Sequence, residues 1–438
     1  MVSIGIAMVL VIFLIITGVP IMYAFMAASL GLVVILGLDP SFIISYGYDS
    51  TNAVVLLCVP LYVCVGTIMA KSDIGKALID FVDMFVGRIR GGLGIAGVFA
   101  SAIFGAISGS TTATLTCIGP IVIPKMIEDG YPRGHAAALI TNACPLGYFI
   151  PPSALMIVFA WSARQSILAC FLATVIPGII LAILLSVTNV VMLRNVKNLK
   201  SDLKKEEKIP CSEIVKEVYS RVKWSVPAIL MPVIILGGTY SGVFTPTESA
   251  AIAIFYAVPV GMFIYRKLTW RALYETLADS ATTTGVIMVM IFCVMVLSRT
   301  MVMQNLPAVI TEFLHSISDN KYFILLFINI VLVILGMIMD DTSSMLLSVP
   351  ILMPIAKSFG IDPIHLAAIM GMNLGLGLIT PPCAMMLYFG GRVSGVPVSE
   401  MMKPTLIFIA FAWVPTLLLT TYIPELSLWL PRLVLGRV

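Results

Sequence analysis

Two polar clusters, 230 residues apart, interrupt long apolar stretches of the chain. The first runs from Ser108 to Thr116 and holds six hydroxyl side chains around one glycine; the second begins with Asp340 and Asp341 and continues with three hydroxyl residues. Hydroxyl, carboxylate and carbonyl oxygens suit a small cation, and the N-terminus of a following helix suits an anion. The clusters therefore predict two binding positions for an ion or an ionic substrate.

Both clusters also have a plain structural interpretation. Small hydroxyl residues commonly pack between membrane helices, and an aspartate can cap the helix that begins after it. An acid at membrane depth, however, costs about 2.5–3.5 kcal/mol on insertion scales and usually has a partner such as a bound cation. Because the clusters are duplicated, we favour binding, and capping remains the alternative for Asp340 and Asp341.

Each cluster is followed by a second apolar stretch that contains paired prolines. Pro151 and Pro152 lie in the first stretch, and Pro381 and Pro382 lie in the second. Paired prolines remove two backbone donors and free the carbonyl groups of the preceding turn. Carbonyl groups that face the polar clusters would complete each cation site, and a purely structural kink is the alternative.

These patterns select two sets of candidate residues. The residues predicted to bind sodium are Ser108, Gly109, Ser110, Thr111, Asn142, Gly147, Pro151, Gly336, Asp340, Asp341, Thr342, Asn373, Gly377, Thr380 and Pro381. The residues predicted to contact the substrate are Thr112, Ser153, Ser343, Ser344 and Arg392. Arg392 is the strong cation that follows the second break, where it could meet a substrate carboxylate or serve only as a cytoplasmic loop charge.

The repeat extends beyond the clusters. Between Thr112 and Phe159, 15 of 48 positions are identical to the residue 230 positions later. Apolar segments that are interrupted at matching places in two internal copies indicate a secondary transporter. Each copy is predicted to hold a re-entrant helical hairpin and a broken helix. These lie at 92–126 and 132–162 in the first copy and at 322–357 and 363–391 in the second.

The composition excludes an ordinary soluble protein. Hydrophobic residues make up 60% of the chain, charged residues make up 11%, and the mean hydropathy is +1.07. Soluble domains carry about 25% charged residues. The fold predicted is an all-α polytopic membrane protein. The eight cysteines are scattered without a CxxC pair, which favours neither a disulfide framework nor a transition-metal site, and the GxxxxGK[ST] motif of ATP-binding loops is absent.

The charges predict how the chain is divided and oriented. Nine of the thirty residues from Arg194 to Lys223 are Lys or Arg, which the positive-inside rule assigns to the cytoplasm. We expect a first repeat at 1–194, a basic cytoplasmic linker at 195–223 and a second repeat at 224–438. Five spans and one hairpin per copy make an odd count, so the two copies are expected to have inverted topology. Amphipathic helices at 74–87 and 305–317 would brace a moving part against a fixed one.

Several motifs resemble those of a known transporter family. The segments 107–114, 242–251, 336–340 and 373–382 are similar to motifs in the large membrane subunit (M, DctM-like) of tripartite ATP-independent periplasmic (TRAP) transporters. Together they extend over almost the whole chain. One position departs from the family's pattern, because Asp341 provides a second acid where a small polar residue is expected.

The resemblance implies sodium-coupled uptake of an anionic organic acid, of the C4-dicarboxylate or sialic acid type, by an elevator mechanism. Na⁺ is the expected coupling ion. The expected partners are a small four-helix membrane subunit (Q type), a periplasmic substrate-binding protein (P type), the lipid bilayer and the small anionic substrate; no nucleic acid is expected. The resemblance also implies a multi-pass protein of the bacterial inner membrane that is not an enzyme.

Three alternatives belong to other functional classes or assemblies. A stand-alone sodium-coupled dicarboxylate carrier would work without a binding protein. An intramembrane aspartyl protease could use Asp49 and Asp340, but the Gly-x-Gly-Asp signature is absent and the duplication would go unexplained. A passive channel is disfavoured, since duplicated hairpins without a ring of charge suit occlusion better than conduction.

Overall fold

The regular structure of this chain is built from helices. The computed structural model describes residues 2–72, 74–86, 90–196, 199 and 211–436, and all regular elements in these ranges are helical. Six described helices are long and apolar enough to cross a membrane: 54–71, 167–193, 246–264, 270–303, 321–338 and 398–422. The predicted fold class, an all-α polytopic membrane protein, is confirmed.

The described α-helices fall into two series that follow the repeat. The first series is α1 (Val2–Ile16), α2 (Ile21–Leu36), α3 (Ser41–Thr51), α4 (Cys58–Lys71), α5 (Ile74–Val86), α6 (Gly92–Ser108), α7 (Thr111–Glu128), α8 (Arg133–Ala143), α9 (Ala154–Ala163) and α10 (Ile167–Leu193). The second series is α11 (Cys211–Tyr240), α12 (Pro246–Pro259), α13 (Trp270–Met303), α14 (Leu306–Ile317), α15 (Lys321–Ile338), α16 (Asp341–Ser358), α17 (Pro363–Ile379), α18 (Met385–Ser394), α19 (Val398–Phe408), α20 (Val414–Tyr422) and α21 (Glu425–Leu435).

The helix boundaries repeat at the same offset as the residues. Helix α7 begins at Thr111 and α16 begins at Asp341, and the two helices have the same length. The hairpins pair α6 with α7 and α15 with α16. Each broken helix contains a cis peptide bond between its paired prolines, Pro151–Pro152 and Pro381–Pro382.

Local sequence explains where the hairpins turn. Helix α6 ends because Gly109 takes a left-handed conformation with φ of 60°, which glycine adopts without steric cost. Helix α7 then begins with Ser110 as its N-cap, and α16 begins with Asp340 in the same role. Capping side chains satisfy backbone N–H groups that the first turn of a helix leaves unpaired.

Helix packing separates the chain into two groups. One group, here called the scaffold group, contains α1–α4 and α11–α13; the other, here called the hairpin group, contains α6–α10 and α15–α21. The amphipathic helices α5 and α14 contact both groups: α5 packs against α6 and α11, and α14 packs against α16 and, less extensively, α13. Both helices therefore lie at the boundary between the groups, and their bracing role stays a prediction.

Packing inside the hairpin group crosses between the copies. The first halves of the broken helices, α8 and α17, pack against the hairpin of their own copy. The second halves change partner: α9 packs against α16, and α18 packs against α7. This exchange joins both hairpins and both helix breaks in one helical body.

The basic linker predicted at 195–223 is described only in part. Residues 197–198 and 200–210 lie outside the described ranges. Residues 211–223 form the first part of α11, since this stretch contains no glycine or proline to stop the helix.

Candidate functional site

A cavity of about 700 Å³ lies between the scaffold group and the hairpin group. Both hairpin tips line it, together with residues of α4 and α13 from the scaffold group. Pockets that bind small organic molecules typically have volumes of about 300–1,000 Å³. The two clusters that the sequence singled out therefore meet at one site, although 230 residues separate them.

The first tip is an uncharged network of hydroxyl groups. The Ser110 side chain accepts a hydrogen bond from the Ala113 N–H, with an N–O distance of 3.4 Å, and its Oγ lies 3.0 Å from Thr112 Oγ1. The Thr114 hydroxyl donates to the Ser110 carbonyl at 2.8 Å, and Ser108 Oγ lies 3.3 Å from Thr114 Oγ1. These hydrogen bonds hold the hydroxyl groups in place. Since hydroxyl and carbonyl oxygens are neutral, the tip presents oxygen atoms without a formal charge.

The second tip has a similar backbone role but carries two acids. Asp340 Oδ2 accepts a hydrogen bond from the Ser343 N–H at 3.1 Å, as Ser110 does at the first tip. Asp341 is the first residue of α16 and lines the cavity beside Asp340. Negative side chains at a helix N-terminus interact favourably with the helix dipole. Ser343 itself is buried and donates to Met290 Sδ of α13 at 2.8 Å.

Capping explains only part of the acidic pair. The alternative interpretation, that one aspartate caps the returning helix, holds for Asp340. Asp341 makes no equivalent cap and stands where the first copy has Thr111, a neutral residue. One acid thus supports the helix start, while the other adds charge to the cavity wall.

Tyr148 connects the two tips. It lies in the break of the first copy's broken helix, between α8 and α9, is only 2% exposed, and has its hydroxyl oxygen 3.1 Å from Thr111 Oγ1. The same phenol interacts with the Asp341 side chain of the second tip. Tyr148 therefore lies between a hydroxyl of one hairpin and a carboxylate of the other.

Glycines bring each hairpin unusually close to the helix break of its own copy. A Cβ atom added at Gly147 would lie 2.7 Å from Gly105 Cα, and one added at Gly377 would lie 2.6 Å from the Gly336 carbonyl carbon. Both separations are shorter than real Cβ contacts. Glycine is required at these positions because the two backbones approach each other there.

Two buried amide oxygens near the breaks have no hydrogen-bond partner. Asn142 Oδ1 and Asn373 Oδ1 lie on α8 and α17, in side chains that are fully buried. Their amide nitrogens are fixed by donating to Ala138 O and to Ile369 O, each at 2.8 Å, so each oxygen is left free to accept. A buried acceptor without a partner costs about 1–3 kcal/mol, and a bound cation or water would remove that cost.

The structure distributes the predicted site residues over three places. The residues that line the cavity are Gly109, Ser110, Thr111, Thr112, Asp340, Asp341 and Thr342. Those that lie behind the tips, in the hairpin arms and helix breaks, are Ser108, Asn142, Gly147, Pro151, Ser153, Gly336, Ser343, Ser344, Asn373, Gly377, Thr380 and Pro381. Arg392 is exposed in the last turn of α18 and does not line the cavity.

Several of the residues behind the tips have structural duties. Ser153 is buried and caps α9 by accepting from the Met156 N–H at 3.4 Å, and Ser344 donates to the Leu335 carbonyl at 3.3 Å. These roles occupy the two hydroxyls away from the cavity. Ser343 is likewise directed to Met290. The predicted substrate contacts are therefore reduced to Thr112 among the five residues proposed from the sequence.

The wall of the cavity has a definite charge. Among the described residues that line it, Asp340 and Asp341 are the charged ones, and no Lys, Arg or His is present. The described chain also holds no group of three or more His, Cys, Asp or Glu suited to a metal ion. An anion bound here would be held by backbone N–H groups, hydroxyls and bound cations rather than by a basic side chain.

Part of the cavity lining is not marked by any pattern in the sequence. Tyr148 lies within an apolar run and its counterpart at the 230-residue offset is Leu378, so nothing in the repeat marked it. Val59, Val63 and Thr67 of α4 also line the cavity, and they look like ordinary membrane-helix residues. Their positions depend on how the two helix groups meet, which local sequence patterns do not contain.

The fold and the site define a class: an all-helical membrane transporter with two hairpins whose tips share one cavity. Comparison with known proteins identifies the family to which the chain belongs. The family model "Tripartite ATP-independent periplasmic transporter, DctM component" matches residues 8–426. The chain belongs to this family of TRAP transporter large membrane subunits, which are transporter components and not enzymes, and it is a multi-pass protein of the bacterial inner membrane.

Individual relatives and a solved structure agree with this assignment. The C4-dicarboxylate TRAP transporter large permease protein DctM of Pseudomonas aeruginosa is 36% identical over 385 residues, covering 88% of each chain. The sialic acid TRAP transporter large permease protein SiaM of Vibrio cholerae is 33% identical, covering 87% of each. The crystal structure of the Alcanivorax borkumensis YdaH transporter shares the fold, with a TM-score of 0.59 and 14% identity over 88% of this chain and 89% of that one.

Proposed function

We propose that this protein carries an anionic organic acid into the cell together with sodium ions, by movement of the hairpin group against the scaffold group. One sodium ion binds near each hairpin tip, and the acid binds between the tips. The observation that carries the proposal is the meeting of both tips in one cavity at the boundary between the two helix groups.

The oxygen atoms near the tips support sodium binding. Hydroxyls at the first tip, carboxylates at the second, and the free Asn142 and Asn373 oxygens are the hard ligands that small cations prefer. The glycine contacts at Gly147 and Gly377 hold the carbonyl groups of each break close to its hairpin. Sodium would also offset the negative charge of Asp340 and Asp341, which otherwise repels an anionic substrate.

The arrangement of the helix groups supports an elevator motion. The cavity has one wall from each group, so a displacement of the hairpin group carries the site past α4 and α13. Helices α5 and α14 lie at corresponding places in the two copies and connect the groups by contact. Symmetrically placed braces of this kind suit a body that moves between two equivalent positions.

The side on which the cavity extends suggests an inward-facing state. Its scaffold wall follows one face of α4, through Val63, Thr67 and Ala70, to the end where Lys71 pairs with Asp279 at 3.4 Å. Basic residues cluster at this end of the scaffold, at Lys71 and at the start of α13, and the positive-inside rule assigns it to the cytoplasm.

The energetics suit uptake without ATP. At 100 mV each net positive charge that moves inward supplies about 2.3 kcal/mol, enough for roughly 40-fold accumulation of a substrate. An excess of sodium charge over substrate charge would therefore drive concentration of the acid.

The relatives support the substrate class and the partners. One is described as a C4-dicarboxylate permease and another as a sialic acid permease, both as large permease proteins of TRAP transporters. We propose an acid of one of these types, delivered by a periplasmic substrate-binding protein, and a complex with a small four-helix membrane subunit.

The test is uptake into proteoliposomes that contain this chain with its small subunit. Radiolabelled C4-dicarboxylates and sialic acid are supplied with the binding protein, with and without an inward sodium gradient. We expect accumulation only when the gradient and the binding protein are both present. Uptake that ignores the sodium gradient contradicts the proposal, and uptake by this chain without a binding protein favours the stand-alone carrier instead.

A further inference from the structure

The cavity contains residues that repeat between the copies and residues that do not. Ser110 and Asp340 perform the same capping role at the two tips. Thr111, however, has Asp341 as its counterpart, and Tyr148 has Leu378. All four residues line the cavity. The residues that differ between the two copies are therefore candidates for setting which acid the cavity accepts.

The polar residues that break the symmetry lie together. Tyr148 is 2% exposed, with its hydroxyl 3.1 Å from Thr111 Oγ1, and the phenol interacts with the Asp341 side chain. Leu378, the counterpart of Tyr148, offers no polar atom. The phenol and the carboxylate therefore lie beside each other in the cavity wall, next to Thr111 of the first tip.

The chemistry of Asp341 restricts what can bind beside it. A carboxylate accepts hydrogen bonds and cannot donate them. No basic side chain lines the cavity in the described chain, so nothing fixed in the wall balances Asp341. Even with one sodium ion at this tip, the two aspartates keep a net negative charge, so a second anionic group would be repelled there, whereas a hydroxyl or ammonium group would donate to the carboxylate.

The start of α7 at the first tip suits the acid group of the same molecule. Helix α7 begins there with an uncharged N-cap, Ser110, whereas α16 begins with two aspartates. The positive end of a helix dipole favours an anion where no acidic side chain already occupies it. The acid group and the donor group of one substrate would thus face different tips.

We propose that Asp341 and Tyr148 are specificity-determining residues that select an organic acid bearing a hydroxyl or ammonium group over the same acid without it. This inference rests on the proposed function and narrows its substrate class. Tyr148 holds Thr111 and supports Asp341, so that the carboxylate is directed at the donor group. A site built around such a hydrogen bond disfavours the analogue that lacks the donor, because the carboxylate then loses one charge-assisted hydrogen bond.

The test compares acids that differ in one group. The chain, purified with its small subunit, is melted in sodium chloride and in choline chloride with increasing succinate, malate, aspartate or N-acetylneuraminate. In sodium chloride, we expect malate or aspartate to stabilise the protein at a roughly tenfold lower concentration than succinate. A tenfold difference in affinity is what one additional hydrogen bond to a charged group typically provides. If N-acetylneuraminate is the ligand, we expect it to stabilise the protein and succinate to have no effect.

Two variants assign the preference to the proposed residues. Asp341→Thr gives the second tip the residue of the first copy, and we expect the preference for the donor-bearing acid to fall roughly tenfold. Tyr148→Phe keeps the ring and removes the hydroxyl, and we expect a smaller loss in the same direction. Tyr388→Phe and Asp49→Asn change an exposed tyrosine and an exposed aspartate outside the cavity, and they should leave the preference unchanged.

The possible outcomes separate this inference from the function on which it rests. Equal stabilisation by succinate and malate overturns the inference, and so does a preference that survives Asp341→Thr. The inference is also overturned if sodium raises the melting temperature but no acid with a hydroxyl or ammonium group raises it further. Absence of any sodium effect on the melting curve contradicts the proposed function, and the inference falls with it.

Discussion

The two hairpin tips share a backbone plan and differ in chemistry. Each tip ends one helix, caps the next with a side-chain oxygen and lies against a glycine of a broken helix. The first offers neutral hydroxyls that hold one another, and the second offers two carboxylates. The shared features are those that any site between these helices needs. The differences are therefore where coupling and selectivity should be sought.

The tips also differ in the backbone turn itself. Gly109 has φ of 60°, whereas its counterpart Met339 is extended, with φ of −121°. The first tip thus depends on glycine and the second does not. A repeat in sequence does not impose an identical turn, because the residue between the two helices sets the local conformation.

The shared part of the comparison predicts the largest effect. Gly147→Val and Gly377→Val each place a side chain where the facing backbone leaves no room, with Cβ separations of 2.7 Å and 2.6 Å. We expect both to abolish sodium-driven uptake and to reduce the yield of folded protein, measured by size-exclusion chromatography. Gly237→Val is the matched control, because its added Cβ meets nothing within 4 Å. If only one of the two variants loses function, the two copies do not share this support.

The charge at the second tip predicts the next effect. Asp340→Ala and Ser110→Ala each remove a cap, which costs about 1 kcal/mol, but the first also removes a carboxylate. We expect Asp340→Ala to lower the initial rate of uptake roughly tenfold more than Ser110→Ala does. The factor corresponds to the free energy that an interaction with a charged group contributes beyond one with a neutral group.

Asp340→Asn separates capping from charge. Asparagine caps a helix about as well as aspartate, so this variant keeps the start of α16 and loses the charge. We expect its uptake to be as poor as that of Asp340→Ala. Uptake at the unmodified rate would mean that Asp340 is only a cap.

The turn at the first tip predicts a smaller effect. Gly109→Ala forces a side chain into the left-handed region, at a cost of about 1–2 kcal/mol, and its Cβ would lie 3.2 Å from Ala154 N. We expect a lower melting temperature and weaker sodium dependence of uptake. Gly37→Ala is the control for backbone strain alone, since Gly37 has φ of 62° and open space around its Cβ. If Gly109→Ala and Gly37→Ala reduce uptake equally, the effect is due to backbone strain in general, and the prediction for this tip is wrong.

The buried amides predict the smallest effect. Asn142→Leu removes the unpaired acceptor and also the hydrogen bond from the amide nitrogen to Ala138 O at 2.8 Å, so we expect a small loss of stability in sodium-free buffer. We expect the sodium concentration for half-maximal uptake to rise by roughly threefold to tenfold. This is the effect of losing one oxygen ligand whose net contribution to binding, like that of a hydrogen bond, is about 1 kcal/mol. Asn373→Leu should also lower stability, because Asn373 donates to Asn329 at 2.7 Å. An unchanged sodium requirement in both would exclude these oxygens as ligands.

Much of this fold follows from the sequence, for identifiable reasons. The bounds of α7 and α16 and the positions of both breaks are encoded locally, by capping residues, Gly109 and the paired prolines.

Other parts of the site depend on packing between distant elements. Arg392 was expected near the substrate because of its distance along the chain from the break, yet α18 turns its last residues to the surface. Tyr148 has no polar neighbour in sequence, and it meets Thr111 only because the hairpin folds back onto the break. Ser153 and Ser344 were chosen for their hydroxyls, which the structure directs to backbone groups.

The central claim is that two cation sites of unequal chemistry serve one substrate cavity, and the dependence of uptake on sodium concentration tests it most directly. Initial rates are measured in proteoliposomes at fixed membrane potential for the unmodified chain and for Asp340→Ser, which gives the second tip the residue of the first. We predict a Hill coefficient clearly above 1 for the unmodified chain and a value near 1, with a higher half-maximal concentration, for the variant. A sodium-independent rate, or identical sodium curves for both proteins, would contradict the account.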